Sequence, residues 1–423
     1  MKILYLVHQF YPDHYTGTEK FLLELAKGSQ RMGHRVHVVS YSFRQRSSFS
    51  QEQSGVLTQK IVYEGVPITF VRLQKEPADR QYNLEPGEML AFARRMLAEE
   101  KPDIVHAAHT MGVHDFIYAA REAGIPYLLT LTDFFLLCPK FTLMTSSNSL
   151  CAGPEKGMAC DKLCGEIPNA AIRRRLEIAS EFLRQAHRVI APSKFLGEMF
   201  RKEHGDLNLR EIGYGISYSR IRRNLRRYKP GDRLTFFYGG SFIRHKGVHI
   251  LAQAFKWVKG DVELKIYGSG QYEYALKQVA ENDPRIQLCG VFSADQIGEV
   301  LSQVDVAIVP SIWYENTPII LLEALASNVP AVVTDLGGMT EVVKNGVSGR
   351  TFPIGDVHQL RDILQSLVEN PESLNGYKEN LKGQFILSVE QVALAYEREY
   401  LSAFPNRPRN FDFDEQRREL INR

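Results

Sequence analysis

Short apolar runs alternate with longer amphipathic stretches along most of the chain. Lys2 to Val7, Val36 to Ser40, Ile104 to Ala107, Tyr127 to Leu131 and Arg188 to Ala191 have the make-up of parallel strands buried on both faces. A second series starts near Leu234, with Leu234 to Tyr238, Val262 to Tyr267, Val304 to Val309 and Ala331 to Thr334. Helical periodicity fills the intervals. After the first strand, Thr16-Gly17-Thr18-Glu19 fits a capping box, with Thr16 as N-cap and Glu19 three residues on. Phe21, Leu22, Leu25 and Ala26 give that helix its apolar face, and Gly33 ends it. Strand–helix alternation read twice predicts two α/β domains with parallel sheets. The polar, basic stretch 205–232 marks the join, giving domains at 1–205 and 206–388.

A chain of 423 residues exceeds one ordinary core, which agrees with two domains. Hydrophobic content of 44% and charged content of 24% are those of a water-soluble globular protein. A net charge of +3 gives no ground for a nucleic-acid partner. The apolar start at residues 1–8 is too short for a signal peptide, and no run approaches the ~20 residues of a membrane span. A cytoplasmic protein is therefore expected. Arg173, Arg174, Arg175, Arg184 and Arg188 stud one predicted helix, and Arg220, Arg222, Arg223, Arg226 and Arg227 crowd the approach to the second domain. Such runs form solvated faces or draw the protein to anionic surfaces, here the inner face of a membrane or a phosphate-bearing acceptor. Asp412-Phe413-Asp414 has the spacing of a metal-binding pair, but it follows no strand and is read as incidental.

The densest chemical signal is Glu315-Asn316-Thr317-Pro318-Ile319-Ile320-Leu321-Leu322-Glu323. Asp305 to Pro310 reads as a buried strand before it. Thr317 is a good N-cap and Pro318 suits the first helical position. Asn328 can close the helix in the left-handed conformation before Pro330. Glu315 then lies at the helix mouth and Glu323 about two turns in, roughly 12 Å along the axis. A helix N-terminus between two carboxylates suits a phosphate flanked by hydroxyl-rich groups, which is the shape of a nucleotide sugar.

This region, running on through Glu323-Ala324-Leu325-Ala326-Ser327-Asn328-Val329-Pro330, resembles the Glu-x7-Glu region of the family-4 retaining glycosyltransferases. Asp335-Leu336-Gly337-Gly338-Met339-Thr340-Glu341 and Asn345-Gly346-Val347-Ser348-Gly349 are similar to the family's segments downstream of that region. Tyr11-Pro12, Gly17-Thr18-Glu19 and Gly33-His34 are similar to its opening. The resemblance implies a GT-B fold, with two Rossmann-like domains facing a central cleft. It also implies that 389–423 holds a helix, Val389 to Leu401, crossing back to the first domain before a polar tail. It implies a retaining transferase that moves a sugar from a nucleotide-sugar donor to a hydroxyl of a glycan, lipid-linked or small-molecule acceptor.

In that reading Glu315 touches the donor sugar, the N–H groups of Asn316 and Thr317 ahead of Pro318 meet the phosphate–sugar junction, and Glu323 takes the ribose hydroxyls. Gly290 to Phe292 hold the base, and Gly17 lets backbone approach phosphate. In Gly239-Gly240-Ser241-Phe242-Ile243-Arg244-His245-Lys246-Gly247, the family pattern carries an arginine where Ser241 stands and a lysine at Lys246. Leaving-group stabilisation then falls on Lys246, with help from Arg244. No catalytic metal is implied, since Lys246 and the helix end supply the electrostatics. Glu315 and Lys246 are thus the expected catalytic pair.

The first domain is expected to take the acceptor. His106, His109 and Asp133 lie at predicted strand ends, where ligands of open α/β sheets gather. The family often has His-Asp where this chain has Thr132-Asp133. Cys138, Cys151, Cys160 and Cys164 fall within 27 residues, and Cys289 stands apart. Four close cysteines read as a structural Zn²⁺ site, as paired or free thiols, or as an iron–sulfur centre. The departures at Ser241 and Thr132 keep two other readings in view, a nucleotide-sugar epimerase of the same fold and a non-catalytic sugar-nucleotide binder.

Overall fold

The computed structural model describes residues 1–406. The pair Asp412 and Asp414 and the rest of the polar tail lie outside them. The chain divides into two compact units, Met1–Tyr214 with the segment from Val389 onward, and Gly215–Ser388.

The first unit is built on nine strands: β1 (Lys2–Val7), β2 (Arg35–Tyr41), β3 (Gln51–Gln53), β4 (Val56–Tyr63), β5 (Val66–Leu73), β6 (Ile104–Ala107), β7 (Tyr127–Thr130), β8 (Arg188–Ala191) and β9 (Leu209–Glu211). Their order is β3-β4-β5-β2-β1-β6-β7-β8-β9. From β5 to β9 the sheet is parallel, while β4 runs antiparallel to both β5 and β3. Because β9 pairs with β8, this unit extends to Tyr214 rather than closing at residue 205.

The capping box forms as expected. Thr16 donates to Glu19 Oε2 from its amide (2.7 Å) and its hydroxyl (2.6 Å), opening the helix Gly17–Arg31. The helix Val389–Ser402 packs in this unit through residues the local pattern could not pair. Glu397 meets His34 at 2.9 Å, and the hydroxyls of Tyr400 and Tyr5 stand 3.3 Å apart.

The second unit carries six parallel strands: β10 (Leu234–Gly239), β11 (Val262–Tyr267), β12 (Ile286–Gly290), β13 (Val306–Val309), β14 (Ala331–Thr334) and β15 (Gly349–Phe352). Their order is β12-β11-β10-β13-β14-β15. Phe236, Leu264, Ile266, Ile308 and Val332 fill the sheet core, against Leu251 and Phe255 of one helix and Leu360 and Leu364 of another. β10 and β13 are neighbours at the point where the order reverses, so the loops leaving their carboxyl ends meet. Those loops carry Lys246 and Glu315. Both units are Rossmann-like α/β domains. Among the described residues no helix is long and apolar enough to cross a membrane.

Candidate functional site

Glu315 sits in the loop after β13 and is 5% exposed. Its Oε1 accepts from Lys246 Nζ, Ser311 Oγ and Trp313 Nε1, each at 2.7 Å. Burial alone would raise this carboxyl, but the Lys246 charge and the hydrogen bonds from Lys246, Ser311 and Trp313 outweigh it and hold the group below the usual carboxylate range. It is an anion at neutral pH. Lys246 also lies over the Trp313 ring, 5.0 Å from its centroid. The His245 ring also packs against Trp313, with centroids 4.8 Å apart. Burial, then the neighbouring Lys246, push His245 down to about 4, so it adds no competing charge.

The two loops are fixed by backbone as well. Ile312 N–H donates to His245 carbonyl (2.9 Å), and Gly338 N–H donates to Glu315 carbonyl (2.9 Å). Gly247 has φ +71°, and a Cβ there would lie 1.8 Å from the Pro310 carbonyl oxygen. A Cβ at Gly338 would lie 1.5 Å from the carbonyl oxygen of Asn316. Only glycine permits either approach. Gly338, part of a family-like segment in the sequence, thus props Glu315, and Trp313 and Ser311 are partners of that carboxylate that the order of residues does not announce.

The remaining donor-side residues distribute less uniformly. The helix begins at Ile319, one residue later than expected, with Pro318 as the extended capping residue. Pro318 carbonyl accepts from Leu321 N–H (3.0 Å), while the Thr317 hydroxyl turns back to the Asn316 carbonyl (2.8 Å) instead of capping. Glu323, 9% exposed, is therefore little more than one turn in, not two. Asn328 takes φ +62° as expected, and Val329 N–H closes onto Ala324 carbonyl. Lys246 belongs to a short 3₁₀ turn, Arg244–Lys246, just before the helix Val248–Phe255, and Arg244 is exposed. Ser241 is half-buried, its carbonyl accepting from Tyr238 Oη at 2.9 Å. Gly290 ends β12 and its carbonyl takes Gly268 N–H (2.7 Å). The Phe292 ring stands edge-on to Tyr267, centroids 5.4 Å apart.

In the first unit, His109 Nδ1 accepts from Met111 N–H (3.2 Å), so Nε2 carries the proton toward Asp133 Oδ2 (3.1 Å). Asp133 Oδ1 is fixed by Phe135 N–H (2.7 Å), and the Thr132 hydroxyl donates to Ala108 carbonyl (2.9 Å). A cavity of about 20 Å³ lies against His109, Thr132 and Asp133, large enough for roughly one water. His8, not singled out from the sequence, and Glu19, named there for its capping box, complete this cluster. His8, just past β1, lies against His109 with ring centroids 3.9 Å apart and the planes tilted by 34°. Its Nε2 is 3.9 Å from Oε1 of fully buried Glu19, an oxygen with no hydrogen bond. Burial, then the neighbours His109, His14 and Arg80, push His8 well down, so it is neutral. The signal was available: His8 follows β1 as His109 follows β6, at the carboxyl ends of neighbouring strands. Gly17 opens the adjacent helix with clear space around it.

His106 does not belong there. It is fully buried, with Nδ1 2.8 Å from Tyr400 Oη and Nε2 2.7 Å from Thr130 Oγ1, and its ring stacks on Tyr396. Burial pushes it down to about 3. It is a neutral core residue beneath the helix Val389–Ser402, not an acceptor contact.

The basic helix also reads differently. It spans Asn169–Gln185, so Arg188 falls on β8. Arg174 is paired with Glu85 and Glu177, Arg184 donates to the His204 carbonyl, and Arg175 is buried. That helix presents no row of free cations for an anionic membrane. Cys138 and Cys151 are buried, Cys160 and Cys164 half-buried, and all are free thiols. Among the described residues, no three His, Cys, Asp or Glu side chains stand ready to hold a metal. The expected four-cysteine ligand set is thus not assembled as the side chains lie.

Residues 15–220 match the family described as Glycosyltransferase Family 4, and residues 222–384 match glycosyl transferases group 1. An uncharacterised glycosyltransferase of Methanocaldococcus jannaschii is 27% identical over 46% of this chain and 53% of its own. A phosphatidyl-myo-inositol mannosyltransferase of Mycobacterium leprae is 31% identical over 34% of this chain and 39% of its own. The chain thus spans about half the length, or less, of these two relatives. A glycogen synthase of Mycobacterium tuberculosis is 24% identical over 72% and 69%. Among solved structures, HepE of Anabaena in complex with UDP and glucose aligns with a TM-score of 0.69 at 18% identity, over 96% of this chain and 100% of that one. Sucrose-phosphate synthase of Thermosynechococcus elongatus aligns at 0.70 and 16% identity, over 96% of this chain and 100% of that one. With a Rossmann-like sheet in each unit and two matches that together run almost unbroken from 15 to 384, the chain belongs to the family-4 glycosyltransferases of GT-B fold.

Proposed function

We propose that this protein is a retaining glycosyltransferase that moves a sugar from a nucleotide-sugar donor to an acceptor hydroxyl without a catalytic metal. The observation that carries the reading is the pairing of half-buried Lys246 with buried Glu315 at the switch point of the second sheet. An ammonium has three N–H donors, and Glu315 uses one. Those remaining can follow the charge that grows on the leaving diphosphate. Glu315, already ionised and fixed by Ser311 and Trp313, accepts from donor-sugar hydroxyls, and Glu323 accepts from the ribose.

With one oxygen tied to three donors, Glu315 is a poor nucleophile, which favours front-face substitution over a glycosyl-enzyme intermediate. The bond from the anomeric carbon to the diphosphate oxygen breaks. The acceptor oxygen bonds to that carbon on the same face, and its proton passes to the departing phosphate. His109 and Asp133 in the first unit hold the acceptor, a hydroxyl of a glycan, a lipid-linked sugar or a small molecule. HepE was captured with UDP-glucose, which makes uridine nucleotides the first donors to try.

A thermal-shift screen of nucleotide sugars should single out one donor. NMR of the product should show the anomeric configuration of that donor retained. An inverted product overturns the retaining assignment. A changed sugar on an intact diphosphate identifies an epimerase, and binding with neither hydrolysis nor transfer identifies a silent binder.

A further inference from the structure

The arginines ahead of β10 are held differently from those of the helix Asn169–Gln185. Arg220-Ile221-Arg222-Arg223-Asn224-Leu225-Arg226-Arg227-Tyr228-Lys229 carries six cations and no acid. From Ile221 to Lys229 it forms neither helix nor strand, yet two buried residues pin it to the second unit. Asn224 N–H donates to Ser327 carbonyl and its Nδ2 to Val304 carbonyl, both at 2.7 Å. Its carbonyl accepts from Asn328 Nδ2 (3.0 Å), and its Oδ1 from Lys378 Nζ (2.9 Å). Tyr228 Oη donates to Asp305 Oδ1 (2.7 Å), and Asn375 bonds both backbone groups of Tyr228, at 3.0 and 2.8 Å. Both anchors are fully bonded, so the strap they hold has a defined course.

The acids that reach the strap are already engaged. Asp295 pairs with Arg220, Asp305 and Asp232 with Arg226, and Glu379 with Lys382. Arg222, Arg223, Arg227 and Lys229 are exposed, and among the described residues none has a carboxylate within ion-pair distance. Leu225, next to the Asn224 anchor, is 80% exposed, the most of any large apolar side chain among the described residues. These five residues span at most roughly 25 Å of chain. An anionic bilayer surface meets both features, since its headgroups attract Lys and Arg and its acyl boundary takes an aliphatic side chain. A nucleic acid offers the charge but no aliphatic phase. Single strands are gripped by aromatic side chains, and the exposed positions from 222 to 229 have none.

We propose that the strap 221–229 docks the protein on an anionic lipid surface, with Arg222, Arg223, Arg227 and Lys229 at the headgroups and Leu225 in the acyl boundary. The attraction is mostly electrostatic, so binding is reversible and weakens as salt rises. Each cation contributes about a fivefold preference for anionic over neutral lipid, and four together give about 100-fold or more. The membrane contact then belongs to the second unit, not to the basic helix of the first. It stands or falls independently of the proposed transferase activity.

Flotation of the full chain with lipid vesicles tests this. Vesicles of mixed phosphatidylglycerol and phosphatidylcholine should carry the protein, and vesicles of phosphatidylcholine alone should bind it about 100-fold more weakly. Salt at about 0.5 M should release it. Arg222→Glu, Arg223→Glu and Arg227→Glu combined should abolish binding, and Leu225→Ser should weaken it about tenfold. Arg174→Ala, on the helix whose cations are paired, should bind as the wild-type protein does. Because none of the strap side chains replaced holds an ion pair, both strap variants should unfold at the wild-type temperature. No binding to anionic vesicles, equal binding to neutral ones, or unchanged binding by the charge-reversed variant overturns the proposal. So does unaltered affinity in Leu225→Ser together with full displacement by single-stranded RNA, which would make the strap a general polyanion site.

Discussion

Two buried glutamates, one in each unit, are held in opposite ways. Glu315 gives one oxygen to three donors, one of them cationic. Glu19 is as deeply buried, yet only its Oε2 is bonded, to Thr16, while Oε1 faces a neutral imidazole. The first arrangement is complete without a ligand and fixes a charge in place. The second leaves its polarity to be completed, since Glu19 Oε1 and His8 Nδ1 are buried without a hydrogen bond. A preorganised charge suits a diphosphate that departs as an anion, and a less committed cluster suits a hydroxyl-bearing acceptor.

The sharpest way to break this contrast is to remove its cation. Lys246→Ala should lower turnover about 100-fold or more, as expected for losing a preorganised charge at the leaving group. Ser241→Ala, which removes only a neutral hydroxyl, should cost about 1 kcal/mol, roughly fivefold. Steady-state kinetics decide, and equal effects would mean that the diphosphate is held elsewhere.

A smaller effect should appear in stability. The folded-state pKa of Glu315 is depressed, so the ionised pair stabilises the protein above the ordinary carboxylate range, and that contribution fades as pH falls through the lower folded value. Glu315→Gln should cost about 2 kcal/mol at neutral pH, with the gap to wild type closing in acid. Urea unfolding of both proteins across pH tests this; a gap independent of pH would show that the charge is not what matters. Comparable in size to Ser241→Ala is His109→Ala, which should raise the acceptor KM about fivefold through one lost hydrogen bond while leaving the donor KM alone. A donor-side change would merge the two sites that the comparison keeps apart.

Much of this was legible in the chain. β1, β6, β8, β11 and β14 fall on the predicted residues because each is a bounded apolar run. The Thr16–Glu19 box and the Asn328 closure are local chemistry that acts within a few residues. What escaped depended on distance. His106 looked like a strand-end ligand because its partner Tyr400 lies 294 residues away. The strands β3 to β5 were missed because an antiparallel hairpin at a sheet edge interrupts the strand–helix rhythm used to find the rest. Ser311 and Trp313 stand beside Glu315 in the chain, but nothing in their order says that both turn onto one oxygen of its carboxylate. The capping shift at Thr317 and Pro318 goes with a hydroxyl that donates to the Asn316 carbonyl instead of accepting from a helix amide.

The most direct test is calorimetric titration of the donor nucleotide sugar into Glu323→Ala and His109→Ala side by side. Loss of a charge-assisted hydrogen bond, about 1.5–3 kcal/mol, should weaken donor binding more than tenfold in Glu323→Ala. His109→Ala should bind the donor as the wild-type protein does. Unchanged affinity in Glu323→Ala, or a loss of donor affinity in His109→Ala, would contradict the assignment of donor to the second unit and acceptor to the first.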